Sequence, residues 1–158
     1  MMNVNIIALG KLKESWFREA CAEYQKRLSA FAKVTIKEPE PEMLPQNPSR
    51  AQIEKALERE AQAINSCIKG GVKIAMCIEG KTLSSGQLAD KIQSLSNEAS
   101  TINFVVGSSF GLAESFKQSC DFRMSMSPMT FPHSLARVML LEQIYRSFSI
   151  INNGKYHK

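Results

Sequence analysis

Hydrophobic residues follow two different periods along this chain. Some short runs are almost continuously apolar, which is typical of strands that are buried on both faces of a sheet. Between them, apolar residues recur at every third or fourth position, which predicts amphipathic helices. The predicted strands cover residues 3–9, 34–36, 72–78 and 101–106. The predicted helices cover residues 14–31, 49–69, a segment starting near residue 85, and 132–150.

Two predicted helices begin with recognisable caps. Ser49 is followed three residues later by Gln52, the spacing of a capping box. Ser84 and Ser85 precede the next helix and supply cap hydroxyls. Residues 39–48 contain four prolines among polar neighbours, so this segment is predicted to be a long loop.

Buried strands separated by helices indicate an α/β fold, with a mostly parallel sheet and helices on both faces. The chain has 158 residues and no internal repeat, so we expect one domain over residues 1–158. The last predicted helix is apolar nearly all round and should bury Leu135, Leu141 and Phe148. Such a helix needs cover from a large core or from a second subunit.

Composition narrows the class of protein. Hydrophobic residues make up 44% and charged residues 22% of the chain, which excludes disordered and fibrous classes. The formal net charge is +5, and the basic excess lies at the two ends of the chain, which is compatible with a polyanionic partner. The four cysteines lack zinc-ligand spacing, so no metal is expected. Without a signal segment or a long apolar run, we expect a cytoplasmic protein with no membrane contact.

Candidate chemistry lies where the predicted strands end, because parallel sheets bind ligands beyond the carboxyl ends of their strands. One such end is at Met76, and a second runs from Gly107 to Gly111. These two glycines form neither a dinucleotide fingerprint nor a phosphate loop. The third is residues 125–133, rich in Ser, Met, Thr and Phe and interrupted by two prolines. That segment could offer backbone hydrogen bonds and an aromatic-binding surface, or it could be a packed connection.

The chain ends in Asn-Asn-Gly-Lys-Tyr-His-Lys, which contains Tyr156 and His157. These side chains are suited to stacking on a base and to transferring a proton, and the lysines to contacting phosphate. An inert, frayed tail is the alternative. In the preceding helix, Glu142 lies four residues before Arg146, the spacing of a helix ion pair.

Two stretches of the sequence are recognisable. They are FVVGSSFGL and SMSPMTFPHSLARVMLLEQIYRSFSIINNGKYHK, which closely resemble the C-terminal signature of the RlmH family of SPOUT-class methyltransferases. The opening IIALGKLKESWFREACAEYQKRL and the middle CIEGKTLSS are also similar to the family, so the resemblance covers essentially the whole chain. One departure is Ser108, which follows Gly107 where the family usually has a second glycine.

The resemblance implies a fold, a cofactor and a reaction. The fold is an α/β sheet with a SPOUT-type C-terminal trefoil knot, acting as a homodimer that binds S-adenosylmethionine. The reaction is methylation of N3 of a pseudouridine in 23S rRNA, within the assembled bacterial ribosome as large subunit or 70S particle.

The resemblance also implies roles for individual residues. Arg146 would stabilise the developing uracil anion or hold a phosphate, Tyr156 would stack on or orient the base, and His157 would accept the proton. His133 is interpreted as structural, ordering the cofactor loop. The positions that match the family's cofactor contacts are Met76, Gly107, Met126, Ser127, Pro128, Met129, Thr130 and Phe131.

Two other functions remain open from the residues alone. A ribosome-binding factor that has lost catalysis would use the basic ends but would not need the cofactor positions. A flavin- or phosphate-binding signalling domain would need a phosphate loop or an acidic pocket at the strand ends, and the sequence has neither.

Overall fold

The structure is a computed structural model and describes residues 1–158. Strands and helices alternate along the whole chain. The strands are β1 (Met2–Ala8), β2 (Ala32–Lys37), β3 (Val72–Thr82), β4 (Thr101–Val106) and β5 (Phe122–Ser125). The helices are α1 (Ser15–Leu28), α2 (Arg50–Cys67), α3 (Ser85–Glu98), α4 (Glu114–Ser119) and α5 (His133–Ile151).

The five strands form one parallel sheet in the order β2-β1-β4-β3-β5. β4 lies in the centre, with Ile102 opposite both Val4 of β1 and Val72 of β3. This order brings the carboxyl ends of β4, β3 and β5 side by side, although the three strands are separated in the sequence. The predicted parallel α/β fold is confirmed, and the C-terminal trefoil knot stays a prediction.

Helices cover both faces of the sheet. Successive residues of a strand point to opposite faces, so Ile6 of β1 joins one apolar cluster while Ile7 joins the other. The first cluster is closed by residues of α1, α3 and α5, namely Cys21, Leu28, Leu88, Ile92, Leu95, Leu140, Leu141, Ile144 and Phe148. The second is closed by residues of α2 and α4, namely Ala61, Ile64 and Phe116.

Helix α5 is buried less uniformly than its sequence predicts. Leu141 and Phe148 are buried as expected, but Leu135 is 37% exposed, so its predicted burial is wrong for a single chain. Nine residues, or two and a half turns, separate Leu135 from the buried Ile144, so the two lie on opposite sides of the helix. The buried side also contains Arg137.

Arg137 links α5 to two loops at the carboxyl edge of the sheet. Its guanidinium donates to a carboxylate oxygen of Glu38 at 2.6 Å and to the backbone carbonyl of Gly10 at 2.9 Å. The side chain of Arg137 is only 1% exposed, so its charge depends on these partners. α5 is thereby fixed to the loops that follow β1 and β2.

The predicted helix caps are present. Gln52 donates its backbone N–H to the Ser49 hydroxyl at 3.2 Å, and its side-chain oxygen accepts from the Ser49 N–H at 2.8 Å. Ser84 forms the same capping box with Gln87. No helix combines the length and the apolar character needed to cross a membrane.

Candidate active site

A cleft of about 740 Å³ opens at the carboxyl ends of β3, β4 and β5, beside the first turn of α5. Its size is that of a small-molecule site. The sheet order produces the cleft, because it places three strand ends with irregular continuations next to one another. The cleft lies where parallel α/β sheets bind their ligands.

The turn after β4, residues 107–111, forms one wall of the cleft. A Cβ on Gly107 would lie 2.4 Å from the carbonyl oxygen of Gly111, so no larger residue fits without moving the turn. The N–H of Gly111 donates to the carbonyl of Ser108 at 2.8 Å and closes the turn. The predicted need for glycine at position 107 therefore has a steric cause.

A bulge in β3 forms a second wall. Met76 and Lys81 both lie opposite Met124 of β5, so residues 77–80 are additional to the ladder and bend out of it. A Cβ on Gly80 would lie 2.7 Å from a backbone atom of Met124. This close approach explains the glycine where the bulge passes β5. The bulge presents Glu79 to the cleft.

The two ionised side chains in the lining neutralise each other. Lys117 of α4 donates to Glu79, and it also pairs with Glu114 at 3.1 Å. The hydrogen bond from Lys117 is the main cause that lowers the pKa of Glu79, which therefore stays ionised at neutral pH. The rest of the lining contains no aspartate, glutamate, lysine or arginine.

The loop after β5 forms the third wall and is ordered by its own hydrogen bonds. The Ser125 hydroxyl donates to the Ser127 carbonyl at 3.1 Å, and the Ser127 hydroxyl accepts from the N–H of Met129 at 3.0 Å. Of the eight predicted cofactor positions, only Pro128 does not line the cleft. The others, Met76, Gly107, Met126, Ser127, Met129, Thr130 and Phe131, all do.

A second group of side chains, here named the C-terminal cluster, consists of Glu142, Arg146, Tyr156 and His157. The Glu142 carboxylate accepts from Arg146 at 2.8 Å and from the Tyr156 hydroxyl at 2.7 Å. The Arg146 guanidinium lies 4.6 Å from the centre of the Tyr156 ring, and its Nη1 is 3.2 Å from Nδ1 of His157. The structure thus brings the three predicted catalytic residues together around Glu142.

The charges of the C-terminal cluster follow from these contacts. Burial alone would raise the pKa of Glu142, but hydrogen bonds from Arg146 and Tyr156 outweigh it and keep this pKa below its usual range. The same carboxylate is the main cause that raises the pKa of Tyr156 to about 12, so the phenol is protonated at neutral pH. Because arginine has no acceptor, Nδ1 of His157 accepts from Arg146.

Within one chain, the cleft and the C-terminal cluster are separate. Ala136 of α5 lines the cleft, and Arg146 lies ten residues further on, which is about 15 Å along a helix axis. No member of the C-terminal cluster lines the cleft. The predicted cofactor and catalytic residues are therefore not adjacent in a single chain.

Two carboxylates that organise these regions are not among the residues predicted from the sequence. The sequence indicates Glu142 only as the helix partner of Arg146, and nothing local indicates that Tyr156 folds back onto it. Glu60 of α2 is 4% exposed and accepts a hydrogen bond from Ser108 in the cleft turn. A signal for Glu60 existed, because it lies three residues after Leu57 and four before Ile64, on the apolar side of its helix.

Comparison with known proteins gives consistent matches over nearly the whole chain. A family model described as "Predicted SPOUT methyltransferase" matches residues 2–157. The chain is 45% identical to the ribosomal RNA large subunit methyltransferase H of Alkaliphilus oremlandii, over 99% of this chain and 100% of that protein. The protein of the same name from Lactobacillus acidophilus is also 45% identical, with the same coverage of both chains.

Solved structures resemble this chain in fold. A probable methyltransferase from Bordetella pertussis aligns with a TM-score of 0.56 and 14% identity, covering 93% of this chain and 95% of that one. A Legionella pneumophila protein solved with bound cofactor SAM aligns with a TM-score of 0.50 and 11% identity, covering 92% and 66%. At such identities the likeness concerns the fold alone.

The family match and the shared fold together define the class as SPOUT methyltransferases. The two sequence relatives identify a family within this class, since both align with this chain over their full length. The chain belongs to the SPOUT methyltransferase family and, within it, to the family of ribosomal RNA large subunit methyltransferase H, as the sequence resemblance predicted.

Proposed function

We propose that this protein transfers a methyl group from S-adenosylmethionine to N3 of a pseudouridine in 23S rRNA of the assembled ribosome. The observation that carries the proposal is the cleft, whose lining contains seven of the eight positions expected to contact the cofactor. Family membership supports methyl transfer, and the names of the relatives support large-subunit rRNA as the substrate.

The lining of the cleft is chemically suited to S-adenosylmethionine. Backbone groups around Gly107 can bind the edge of an adenine, and the hydroxyls of Ser127 and Thr130 can bind the ribose. Met126 and Phe131 offer apolar surface to the base. When bound, the cofactor supplies an electrophilic methyl group on a sulfonium.

The C-terminal cluster can manage the proton of the target base. N3 of a pseudouridine carries a proton at neutral pH, so a base must accept it when the new bond forms. Arg146 keeps its charge and can stabilise the developing anion, but it cannot accept a proton. Tyr156 stays protonated and can orient the base through its ring or hydroxyl.

His157 is the proton acceptor in this proposal. Its Nδ1 lone pair is engaged by Arg146 while the tail is docked, and the other ring nitrogen of a neutral imidazole then carries the proton. His157 must therefore release Arg146 before it accepts the proton of the base. RNA binding is the event that supplies this movement, because it gives Arg146 an anionic partner in place of the imidazole.

A homodimer would bring the cleft and the C-terminal cluster together. About 15 Å of helix separates them in one chain, so the C-terminal cluster of a second subunit would complete the site at each cleft. Apolar side chains at or near the mouth of the cleft are unpartnered and offer a surface for that subunit. They are Ile78, Phe110, Met129 and Leu135.

The basic ends of the chain would contact RNA phosphates, which position a nucleic acid without reading its sequence. Lys11 and Lys13 lie in the loop after β1, and both are exposed. Trp16, which is 63% exposed, follows at the start of α1 and could stack on an unpaired base. A ribosomal substrate would be consistent with a protein that acts in the cytoplasm. Residues 1–158 would act as one domain in this proposal.

The proposal is tested by incubating the protein with ribosomes that lack the modification and with methyl-labelled S-adenosylmethionine. Nucleoside mass spectrometry of the RNA should then detect N3-methylpseudouridine, and ribosomes should be better substrates than free 23S rRNA. Label in another nucleoside would contradict the proposed target. Cofactor binding without any transfer would instead favour the ribosome-binding factor.

A further inference from the structure

Glu60 is the one acidic side chain among the buried residues of this protein. It has no cationic partner. The neighbouring Arg59 pairs with Glu42 at 3.8 Å and not with Glu60. Its two carboxylate oxygens accept one hydrogen bond each, from the Ser108 hydroxyl at 3.0 Å and from the backbone N–H of Glu42 at 3.0 Å. Burial is the main cause that raises the pKa of Glu60, and these two bonds oppose it.

The two donors come from segments that are far apart in the sequence. Glu42 lies in the proline-rich loop between β2 and α2, and Ser108 is the second residue of the turn after β4. The carbonyl of Ser108 closes this turn by accepting from the N–H of Gly111. Glu60 therefore holds the cleft turn at Ser108, the residue whose carbonyl closes it.

We propose that Glu60 is a positioning residue for the methyl-donor site, which it controls through the hydroxyl of Ser108. The bond holds the turn from Gly107 to Gly111 in the shape that lines the cleft. A glycine at position 108 could not make this contact, so the serine hydroxyl is what ties the turn to α2. The inference rests on the proposed function in one respect, namely that the cleft binds S-adenosylmethionine.

The structure contains a matched control for this contact. Ser115 donates to Glu58 of the same helix at 2.9 Å, and this second tie also joins α2 to the segment after β4. It is exposed, and neither residue lines the cleft. Breaking the second tie should therefore leave cofactor binding unchanged.

The test measures the dissociation constant of S-adenosylmethionine by calorimetry, together with the melting temperature, for wild type and variants. Ser108→Ala should weaken binding by about tenfold, because a buried carboxylate loses one of its two donors and the turn is freed. Ser115→Ala should bind as wild type. Glu60→Ala should weaken binding at least as much as Ser108→Ala, and combining the two changes should add nothing further.

Glu60→Gln separates positioning from charge. Its amide can donate to the Ser108 oxygen while its carbonyl accepts from the Glu42 N–H, so both contacts survive without the charge. Affinity within about twofold of wild type supports positioning by hydrogen bonds. An affinity as weak as that of Glu60→Ala would overturn it, and so would wild-type affinity in Ser108→Ala.

Hydrogen exchange without any ligand keeps this inference separate from the proposed function. The amide of Gly111 should exchange faster in Ser108→Ala than in wild type or Ser115→Ala, whatever the cleft binds. Unchanged exchange would overturn the positioning role. If wild type itself fails to bind S-adenosylmethionine, the proposed function fails, while the exchange result still decides the role of Glu60.

Discussion

The cleft and the C-terminal cluster are built by different means. The cleft is formed at the ends of three adjacent strands, and its shape depends on two close approaches of the backbone at Gly80 and Gly107. The C-terminal cluster is formed by four side chains, two of them from a tail that contacts Glu142 and Arg146 through Tyr156 and His157. A site held by a sheet keeps its shape without a ligand, whereas a site held by a tail can rearrange when RNA binds.

This difference predicts that the two regions can be disabled separately. Changes in the cleft should affect the binding of S-adenosylmethionine, and changes in the C-terminal cluster should affect methyl transfer at constant cofactor affinity. The variants below are ordered from the largest expected effect to the smallest.

Deleting residues 156–158 should reduce methyl transfer to ribosomes by at least about 100-fold, because the deletion removes the residues that we propose as proton acceptor and base-orienting ring. Cofactor affinity, measured by calorimetry, should stay within about twofold of wild type, since the tail does not line the cleft of its own chain and the partner's tail is proposed to act on the RNA base. Turnover at the wild-type rate would show that the tail takes no part in the chemistry.

Gly107→Val should abolish cofactor binding, because the added side chain must displace the Gly111 carbonyl that lies 2.4 Å from a Cβ. Gly86→Val is the matched control, since the nearest atom to a Cβ there is the Ser84 hydroxyl at 4.0 Å. Circular dichroism should show both variants folded. Unchanged affinity in a folded Gly107→Val protein would count decisively against the cleft.

Two arginines of α5 should contribute unequally to the stability of the protein. Arg137→Met should lower the free energy of unfolding by about 3 kcal/mol, because it leaves Glu38 and the Gly10 carbonyl without their buried partner. Arg146→Met should lower it by about 1 kcal/mol or less, as for a partly exposed helix pair. Chemical denaturation measures both values, and equal losses would contradict the assignment of Arg137 as the structural arginine.

The titration of Tyr156 should report the docking of the tail. Its pKa of about 12 in the folded protein exceeds the ordinary value of 10.0, so the docked tail is stabilised below pH 10 and loses this support as the pH rises through 12. Glu142→Gln should move the titration back toward 10. Ultraviolet difference spectra against Tyr156→Phe isolate this phenol, and an unchanged midpoint in Glu142→Gln would exclude the carboxylate as the cause.

The sequence predicted the elements that have a clear period and missed those that are too short to show one. Both capped helices and the central strand Thr101–Val106 were predicted correctly, because capping boxes and buried strands are local features. Helix α4 has six residues and β5 has four, and neither shows a periodic pattern. β3 was predicted too short because its bulge interrupts the apolar run, and α1 was predicted to continue past Leu28.

Long-range contacts limit how much of the candidate site can be predicted from the sequence. Gly107 and the loop after β5 could be predicted, because strand ends bind ligands and because the resemblance identifies the positions. The strand order that makes their ends adjacent is a long-range property, and no local signal contains it. The same holds for Glu60, whose position on an apolar helix face was visible while its partner Ser108, 48 residues away, was not.

Mixing two inactive variants tests the central claim, that one cleft works with the C-terminal cluster of another subunit. Gly107→Val retains an intact tail, and the protein lacking residues 156–158 retains an intact cleft. Subunit exchange, verified with differently tagged chains, should restore methyl transfer to on the order of a quarter of the wild-type rate, because half of the dimers are mixed and each mixed dimer contains one complete site. Verified mixed dimers that remain inactive would contradict the account.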